Sequence, residues 1–231
     1  MRCFNNYRQV DLDQRTHTMG AYPLDVMVTG CTGAGKSSTL NSLFGECVAT
    51  VGDGVDPETM GVYSYKLNDL ARFWDTPGLG DGIEADERHS KNIIDGLYQT
   101  YQLQNNTHKY GLIDMVLVIL EGSSRDMGTT YKLLNEVIVP HIQTDRILVA
   151  VNQCDMAMKG HHWNAALNQP DAVLKQFLDD KVRSIQNRVK EATNMDIILP
   201  VYYSAKYLYN MDRLMDLIID HMPTSRRNLM C

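Results

Sequence analysis

The sequence feature that most limits the folds open to this chain is a glycine-rich octapeptide, Gly30-Cys31-Thr32-Gly33-Ala34-Gly35-Lys36-Ser37. It fits the pattern G-x-x-x-x-G-K-[ST], and it lies between an apolar run that predicts a strand and a segment that predicts a helix. Small residues at these positions let backbone N–H groups wrap a phosphate chain, and the start of a helix adds partial positive charge. The octapeptide therefore predicts a phosphate-binding loop between a buried strand and a helix.

From Leu24 onward, short apolar runs alternate with segments of helical periodicity. This alternation predicts an α/β fold: a doubly wound, mostly parallel six-stranded sheet with helices on both faces. One edge strand is predicted to be antiparallel, because only Asn68-Asp69 joins two of the runs and so short a link permits only a hairpin. The predicted strands are residues 24–29, 62–67, 70–74, 113–120, 147–151 and 197–202, and the predicted helices are residues 36–45, 87–104, 129–139, 172–192 and 211–221.

Charge and composition argue against two classes of partner. The 231 residues include 22 Lys and Arg against 28 Asp and Glu, a net charge of −6, whereas broad nucleic-acid binding needs a basic surface. The longest apolar run, residues 112–120, is far shorter than the roughly 20 residues that span a bilayer. The sequence therefore gives no strong case for a nucleic-acid or a membrane partner, although the acidic net charge does not exclude a local basic patch.

Three regions are expected along the chain: an N-terminal arm or extension (residues 1–22), one nucleotide-binding domain (residues 23–222) and a C-terminal tail (residues 223–231), in which Arg226 and Arg227 are interpreted as solvated. The five cysteines show no paired spacing, which is typical of a reduced, cytoplasmic protein.

A second motif, Asp75-Thr76-Pro77-Gly78, follows the predicted strand 70–74. A carboxylate at that strand end would face the phosphate-binding loop and hold Mg²⁺ through water, together with the Ser37 hydroxyl. Lys36 is expected to reach the β- and γ-phosphates. The Gly78 N–H can approach a γ-phosphate because no side chain blocks it.

Two further motifs follow later predicted strands. Asn152-Gln153-Cys154-Asp155 comes after residues 147–151, and Ser204-Ala205-Lys206 comes after residues 197–202. Because ligands of doubly wound folds bind at the carboxyl ends of the strands, both motifs are expected at the same site as the phosphate-binding loop.

In order and spacing, these four motifs resemble the G1, G3, G4 and G5 elements of P-loop GTPases, and the resemblance covers roughly residues 24–221. The sequence from Gly35 to Gly45 is similar to Era-like bacterial GTPases, including the YfjP type, and residues 75–81 look like the septin and Toc group. The resemblance implies that the Asp155 carboxylate accepts hydrogen bonds from guanine N1–H and the 2-amino group, that Asn152 braces the pocket and that the Ala205 N–H meets guanine O6.

GTP or GDP is the implied ligand and Mg²⁺ the implied cofactor. The implied nucleotide-binding residues are Gly30, Thr32, Gly33, Ala34, Gly35, Lys36, Ser37, Ser38, Asn152, Asp155, Ser204, Ala205 and Lys206; the implied Mg²⁺ ligands are Ser37, Thr59 and Asp75; and the implied catalytic groups are Lys36, Thr59 and Gly78.

Three positions leave questions open. The G2 threonine is Thr59 or, as the alternative, Thr50. Gln153 stands where this group of proteins usually has lysine, and Leu79 stands where many small GTPases have the glutamine that orients the attacking water. We therefore expect slow hydrolysis that dimerisation or an unidentified effector or activating protein accelerates. The alternative is a nucleotide-dependent assembly module, similar to septins and Toc, that forms a homodimer across the nucleotide face with little turnover.

Overall fold

The structure, a computed structural model, describes residues 4–20, 22–45, 63–102, 109–124 and 127–229. Its strands are β1 Leu24–Gly30, β2 Tyr63–Asn68, β3 Ala71–Asp75, β4 Thr100–Gln102, β5 Lys109–Gly111, β6 Met115–Glu121, β7 Ile147–Asn152, β8 Trp163–Asn164, β9 Gln169–Pro170 and β10 Val201–Tyr202. Its α-helices are α1 Gln9–Met19, α2 Lys36–Phe44, α3 Ile83–Leu97, α4 Gly128–Lys132, α5 Ala172–Thr193 and α6 Met211–Asp220.

Six of these strands form one sheet in the order β10-β7-β6-β1-β3-β2. All neighbours are parallel except β2, which pairs antiparallel with β3 at the edge of the sheet. The predicted fold, a doubly wound and mostly parallel six-stranded sheet with one antiparallel edge strand, is therefore confirmed. The parallel strands bring their carboxyl ends, and the motifs that follow them, to one edge of the sheet.

The core has two layers, one on each face of the sheet. Val26 and Val28 of β1 point into the layer that α1, α2 and α6 cover, whereas Met27 points into the layer that α3, α4 and α5 cover. Because side chains of a strand alternate between faces and both faces here are buried, the strands read as continuous apolar runs.

The helix predicted at residues 87–104 is wrong at both ends. Helix α3 begins earlier, at Ile83, and it ends at Leu97. The following residues form β4, which pairs with β5 in a hairpin where Tyr101 lies opposite Tyr110. Alternating polar and aromatic residues favour a strand, which explains why the helix stops.

Two other elements differ from the prediction within their boundaries. Helix α4 continues as a π-helix over Leu133–Ile138, which the apolar spacing does not reveal. The strand predicted at residues 197–202 is reduced to β10, because Pro200 has no N–H for the sheet ladder. The Ile197 carbonyl instead accepts a hydrogen bond from the Gln186 side chain of α5.

Both terminal regions pack against the domain. Helix α1 buries Leu12, Thr16 and Met19, and the Thr16 hydroxyl is satisfied by donating to the Leu12 carbonyl. That buried polar residue concealed the helical pattern. In the C-terminal segment, the expectation that Arg226 and Arg227 are solvated is wrong, since they are 7% and 1% exposed.

Among the helices of the part of the chain that the structure describes, none combines the length and the apolar character that crossing a membrane requires.

Candidate functional site

The phosphate-binding loop connects the end of β1 to the start of α2. Gly33 and Gly35 have φ angles of 82° and 84°, a left-handed conformation that glycine adopts without steric cost. At Gly35 a Cβ would also collide with the Asn152 side chain. The glycines therefore shape the loop, and the free N–H groups of the first turn of α2 face the same space.

Lys36 curls back over this loop. Its ammonium donates to the carbonyls of Gly30 and Cys31, at 3.3 and 3.2 Å. Burial lowers the pKa of Lys36, and the nearby Asp75 carboxylate partly opposes that shift. The ammonium thus has only neutral hydrogen-bond partners among the described residues, and it can turn to a phosphate oxygen.

Ser37 and Asp75, the two described residues of the predicted Mg²⁺ site, are hydrogen-bonded to each other. The Ser37 hydroxyl donates to Asp75 Oδ2 at 2.8 Å, while Asp75 Oδ1 is buried with no hydrogen-bond partner among the described residues. Burial raises the pKa of Asp75, and the Ser37 hydrogen bond and Lys36 lower it. A hydroxyl beside a carboxylate with an unused oxygen fits a hard cation such as Mg²⁺.

Gly78 lies directly against the phosphate-binding loop. A Cβ at this position would lie 2.5 Å from the Thr32 nitrogen and 2.7 Å from Lys36 Nζ, so only glycine fits here. The Thr32 N–H donates to the Leu79 carbonyl at 2.8 Å, and the Leu79 side chain is 1% exposed within the core. Leu79 therefore presents only its backbone to the site.

Polar side chains hold the rest of this segment. The Thr32 hydroxyl donates to Asp81 at 2.8 Å, and the Asp86 carboxylate accepts from the Gly80 and Asp81 N–H groups. His89 Nδ1 donates to the Gly78 carbonyl at 2.7 Å. Residues 78–81 are thus hydrogen-bonded to the phosphate-binding loop on one side and to α3 on the other.

Asn152 links the phosphate-binding loop to the Ser204-Ala205-Lys206 turn. Its side-chain amide donates to the Ala34 carbonyl at 3.0 Å, and its Oδ1 accepts from the Ala205 N–H at 3.1 Å. Asn152 thus connects these two segments, and its part in a nucleotide pocket stays a prediction. The Ala205 N–H is engaged by Asn152, so guanine O6 would have to share or take over that donor.

Gln153 occupies the place of the usual lysine with a contact of its own. Its side chain reaches across the loop, and Nε2 donates to the Gly33 carbonyl at 2.8 Å. The departure from the usual sequence therefore does not leave this part of the cleft uncovered.

Asp155 is 4% exposed, and its Oδ1 atom is buried with no hydrogen-bond partner among the described residues. A buried acceptor without a donor is costly, and guanine supplies two donors, N1–H and the 2-amino group. The residue borders a cleft of about 500 Å³ whose lining comprises Ser38, Asn41, Ser42, Asn152, Gln153, Asp155, Met156, Ser204, Ala205 and Lys206.

Sequence reasoning missed three of these lining residues: Asn41, Ser42 and Met156. The Ser42 hydroxyl donates to the Ala205 carbonyl at 2.8 Å and so fixes that turn against α2. Asn41 and Ser42 lie three and four positions after Ser38, a spacing that places all three residues on one face of a helix. This helical spacing is the sequence feature that could have indicated Asn41 and Ser42 as lining residues.

Thr59 and Thr50 both lie outside the described residues. Within the described part of the chain, no group of three or more His, Cys, Asp or Glu residues is arranged to hold a metal ion. Cys154, beside Asp155, is fully buried and burial raises the pKa of its thiol, whereas Cys31 is partly exposed.

Together, the sheet topology and the four converging motifs define a P-loop small GTPase G domain. The profile of the family described as 50S ribosome-binding GTPase matches residues 25–201, so the chain belongs to that family. Members of this family are, in general terms, domains that bind guanine nucleotide and hydrolyse GTP.

Individual relatives resemble different parts of the chain. Translocase of chloroplast 125 from Physcomitrium patens is 46% identical over 72 residues, 30% of this chain. The tRNA modification GTPase MnmE from Bacteroides thetaiotaomicron is 27% identical over 188 residues, 79% of this chain. These matches span 6% of the translocase and 36% of MnmE.

Among solved structures, Toc33 from Arabidopsis thaliana in complex with GDP and Mg²⁺ superposes with a TM-score of 0.61 at 18% identity, over 94% of this chain and 91% of that one. At this identity the likeness concerns the fold.

Proposed function

We propose that this chain is a switch that binds GTP or GDP with Mg²⁺ and hydrolyses GTP slowly on its own. The observation that carries the choice of base is the Asp155 carboxylate, which is buried beside the cleft and has one oxygen with no donor among the described residues. Adenine has neither an N1–H nor a 2-amino group, so it would leave that oxygen unpaired.

The proposed phosphate end uses residues on both sides of the loop. Lys36 would bind the β- and γ-phosphates, and the N–H of Gly78 would contact the γ-phosphate. Ser37 and Asp75 would hold Mg²⁺, with Thr59 as the proposed third ligand. When bound, Mg²⁺ supplies positive charge that neutralises the phosphates.

The support for slow hydrolysis is the side chain of the residue that follows Gly78. The Leu79 side chain is apolar and lies in the core, so it cannot orient a water molecule. Two polar side chains close to this segment, those of Asp81 and His89, are already bonded to Thr32 and to the Gly78 carbonyl. We propose that a partner, an activating protein or a second copy of this chain, supplies or frees the missing group. A basal turnover above roughly 1 s⁻¹ for dilute protein would contradict this.

Binding of fluorescent GDP and ADP, with Mg²⁺, to the wild type and to Asp155→Asn tests the base assignment. We expect tight GDP binding, weak ADP binding and a large loss of GDP affinity in the variant. Asp81→Asn is the matched control, because it changes an acid on the phosphate side and is expected to leave the GDP-to-ADP ratio unchanged. Equal binding of both nucleotides by the wild type would overturn the assignment.

A second candidate is a nucleotide-dependent assembly module with little turnover. Its support is the Toc33 likeness, since one of the similar structures is described as a dimerization-deficient mutant of that protein. We propose the homodimer as the alternative and test it by measuring molecular mass in solution with GDP and with a non-hydrolysable GTP analogue. Turnover per molecule that rises with protein concentration would favour activation by dimerisation.

We also propose a cytoplasmic location. Its support is the unpaired spacing of the five cysteines together with the free thiols of Cys31 and Cys154. Cell fractionation tests it.

A further inference from the structure

A short hairpin follows the Asp155 turn and is not part of any of the four motifs. Strands β8 and β9 pair Trp163 with Pro170 and Asn164 with Gln169. The hairpin is fixed to the start of α5, because the Asp171 N–H donates to the His162 carbonyl at 2.9 Å. Asp171 itself caps α5 by accepting from the N–H groups of Val173 and Leu174.

Trp163 of this hairpin packs between two tyrosines of the Ser204–Tyr209 turn. Its ring centroid lies 5.2 Å from that of Tyr207 and 5.3 Å from that of Tyr209, the latter edge to face. Each aromatic pair of this kind contributes about 0.5–1.5 kcal/mol beyond its buried area. The indole N–H is buried without a hydrogen-bond partner among the described residues, so packing and not hydrogen bonding holds the ring.

The turn that Trp163 contacts is the one that lines the base end of the cleft. Backbone hydrogen bonds in both directions between Ser204 and Tyr209 close it. Lys206, which lines the cleft, places its ammonium over the Tyr207 ring at 5.1 Å. Asn168 of the hairpin adds a hydrogen bond from its side chain to the Tyr207 carbonyl at 2.9 Å.

The hairpin is also connected to the Asp155 side of the cleft. A series of backbone hydrogen bonds runs from Gln153 to His161, joining Met156 to Gln153, Ala157 to Cys154, Lys159 to Met156 and His161 to Met158. The backbone of Trp163 thus continues the segment that carries Asp155, and its side chain contacts the turn that carries Ala205. The Trp163 contact therefore connects the Asp155 segment to the Ala205 turn outside the sheet.

We propose that Trp163 is a positioning residue for the base end of the cleft. By packing between Tyr207 and Tyr209, it fixes the Ala205 turn relative to Asp155 and so determines how well guanine is distinguished from related purines. This inference rests on the proposed guanine-nucleotide binding, and it adds a residue outside the four motifs to the selection of the base.

The test compares GDP with inosine diphosphate, which lacks only the 2-amino group. Equilibrium binding with Mg²⁺ is measured for the wild type, Trp163→Ala and Trp163→Phe. The wild type is expected to prefer GDP roughly 10- to 100-fold, because inosine leaves part of the Asp155 carboxylate unpaired. In Trp163→Ala, GDP affinity is expected to fall about tenfold and the preference for GDP at least about threefold. Trp163→Phe is expected to restore most of both.

Two further variants keep the test decisive. Asn168→Gly removes only the hydrogen bond to Tyr207 and suits the left-handed backbone at that residue, where φ is 51°. It is expected to move the preference in the same direction by a smaller factor, and it decides the question if Trp163→Ala does not fold. Tyr110→Ala, in the β4–β5 hairpin, is the matched aromatic truncation, and it should leave the preference unchanged.

The outcomes separate the inference from the function on which it rests. If the wild type does not prefer GDP to ADP, the proposed function fails. If the wild type is guanine-selective but both Trp163→Ala and Asn168→Gly keep the GDP-to-inosine ratio, Trp163 has only a structural role and the inference is overturned. A loss of thermal stability with an unchanged ratio has the same meaning.

Discussion

Single residues in this site are constrained by close approach of the backbone. Gly78 is the clearest case, because the loop nitrogen of Thr32 and the ammonium of Lys36 occupy the space where a side chain would begin. A substitution there must push the segment away from the phosphate-binding loop. Gly78 is therefore a position at which we expect the addition of one methyl group to affect hydrolysis more than nucleotide binding.

We predict that Gly78→Ala lowers GTP turnover by about 100-fold, the scale of losing one hydrogen-bond donor to the reacting group. GDP affinity should change little, because GDP has no γ-phosphate for this segment to contact. Single-turnover hydrolysis and GDP binding measure the two effects. Gly80→Ala is the control, since a Cβ at Gly80 meets no atom of the described residues within 4 Å, although its positive φ adds some strain. Equal losses in both variants would argue against the contact.

Gln153 gives a second residue-scale prediction. Gln153→Ala removes the hydrogen bond to the Gly33 carbonyl, and we expect GDP to bind about fivefold more weakly, the value of one such bond. Gln153→Lys keeps a donor at that position and should bind GDP as the wild type does. Isothermal titration with GDP and Mg²⁺ measures both variants, and an unchanged affinity in Gln153→Ala would show that the contact is dispensable.

Elements were predictable where one physical signal decided them. The five parallel strands and α2 follow from apolar runs and from the glycine-rich loop, and the motifs at their ends follow from topology. The failures have local causes. In α1, the polar residue Thr16 interrupts the apolar face. In β10, Pro200 shortens the strand. Around Tyr101, the alternation of polar and aromatic residues favours a strand over the predicted helix. The Trp163 hairpin could not be predicted, because its stability comes from tyrosines that lie more than forty residues away in the sequence.

The C-terminal segment shows most clearly what pattern alone does not reveal. Arg226 contacts Asp114 at 3.5 Å and lies over the Tyr101 ring at 4.4 Å, while the Arg227 carbonyl accepts from the Gly111 N–H. Two adjacent arginines near a chain end resemble a solvated tail in sequence. Here a carboxylate and an aromatic ring from distant segments surround the Arg226 side chain, and the Arg227 backbone is bonded to β5.

Asp114 makes this segment sensitive to pH. Burial raises the pKa of Asp114 to about 6, although Arg226 opposes the shift. Because this pKa exceeds the value in the unfolded chain, the protonated Asp114 carboxyl favours the folded state. This contribution to the free energy of unfolding is complete below about pH 4 and is lost as the pH rises through 6. Relative to Asp114→Asn, the wild type should therefore lose up to about 3 kcal/mol of unfolding free energy between about pH 4 and pH 7.5. Urea unfolding at both pH values measures this, and a relative gain by the wild type would contradict it.

At the scale of the whole molecule, the two core layers carry the fold and the nucleotide cleft lies at the edge where they meet the strand ends. A ligand that binds at that edge binds only the folded protein, and it therefore raises the free energy of unfolding. The site holds buried polar atoms that have no hydrogen-bond partner among the described residues, including Asp75 Oδ1 and Asp155 Oδ1. A bound nucleotide with its metal would supply partners for both.

We therefore predict that GDP with Mg²⁺, at about 100 times its dissociation constant, raises the unfolding free energy by about 2.7 kcal/mol. For a domain of this size the midpoint of thermal unfolding should rise by about 5–10 °C. ADP at the same concentration should leave the midpoint unchanged, and so should GDP added to Asp155→Asn. Thermal scans with each nucleotide provide the measurement, and a similar shift with ADP would point to recognition of the phosphates alone.

Asn152 connects the phosphate end and the base end of the cleft through one side chain. A single side-chain amide contacts the Ala34 carbonyl in the phosphate-binding loop and the Ala205 N–H at the base end. We predict that guanine O6 shares the Ala205 N–H with Asn152, so that ordering either end of the cleft helps to order the other and the two halves of the ligand are thermodynamically linked. Guanosine should strengthen the binding of pyrophosphate, and pyrophosphate must strengthen the binding of guanosine by the same factor. The whole nucleotide then gains affinity that its separate parts do not have.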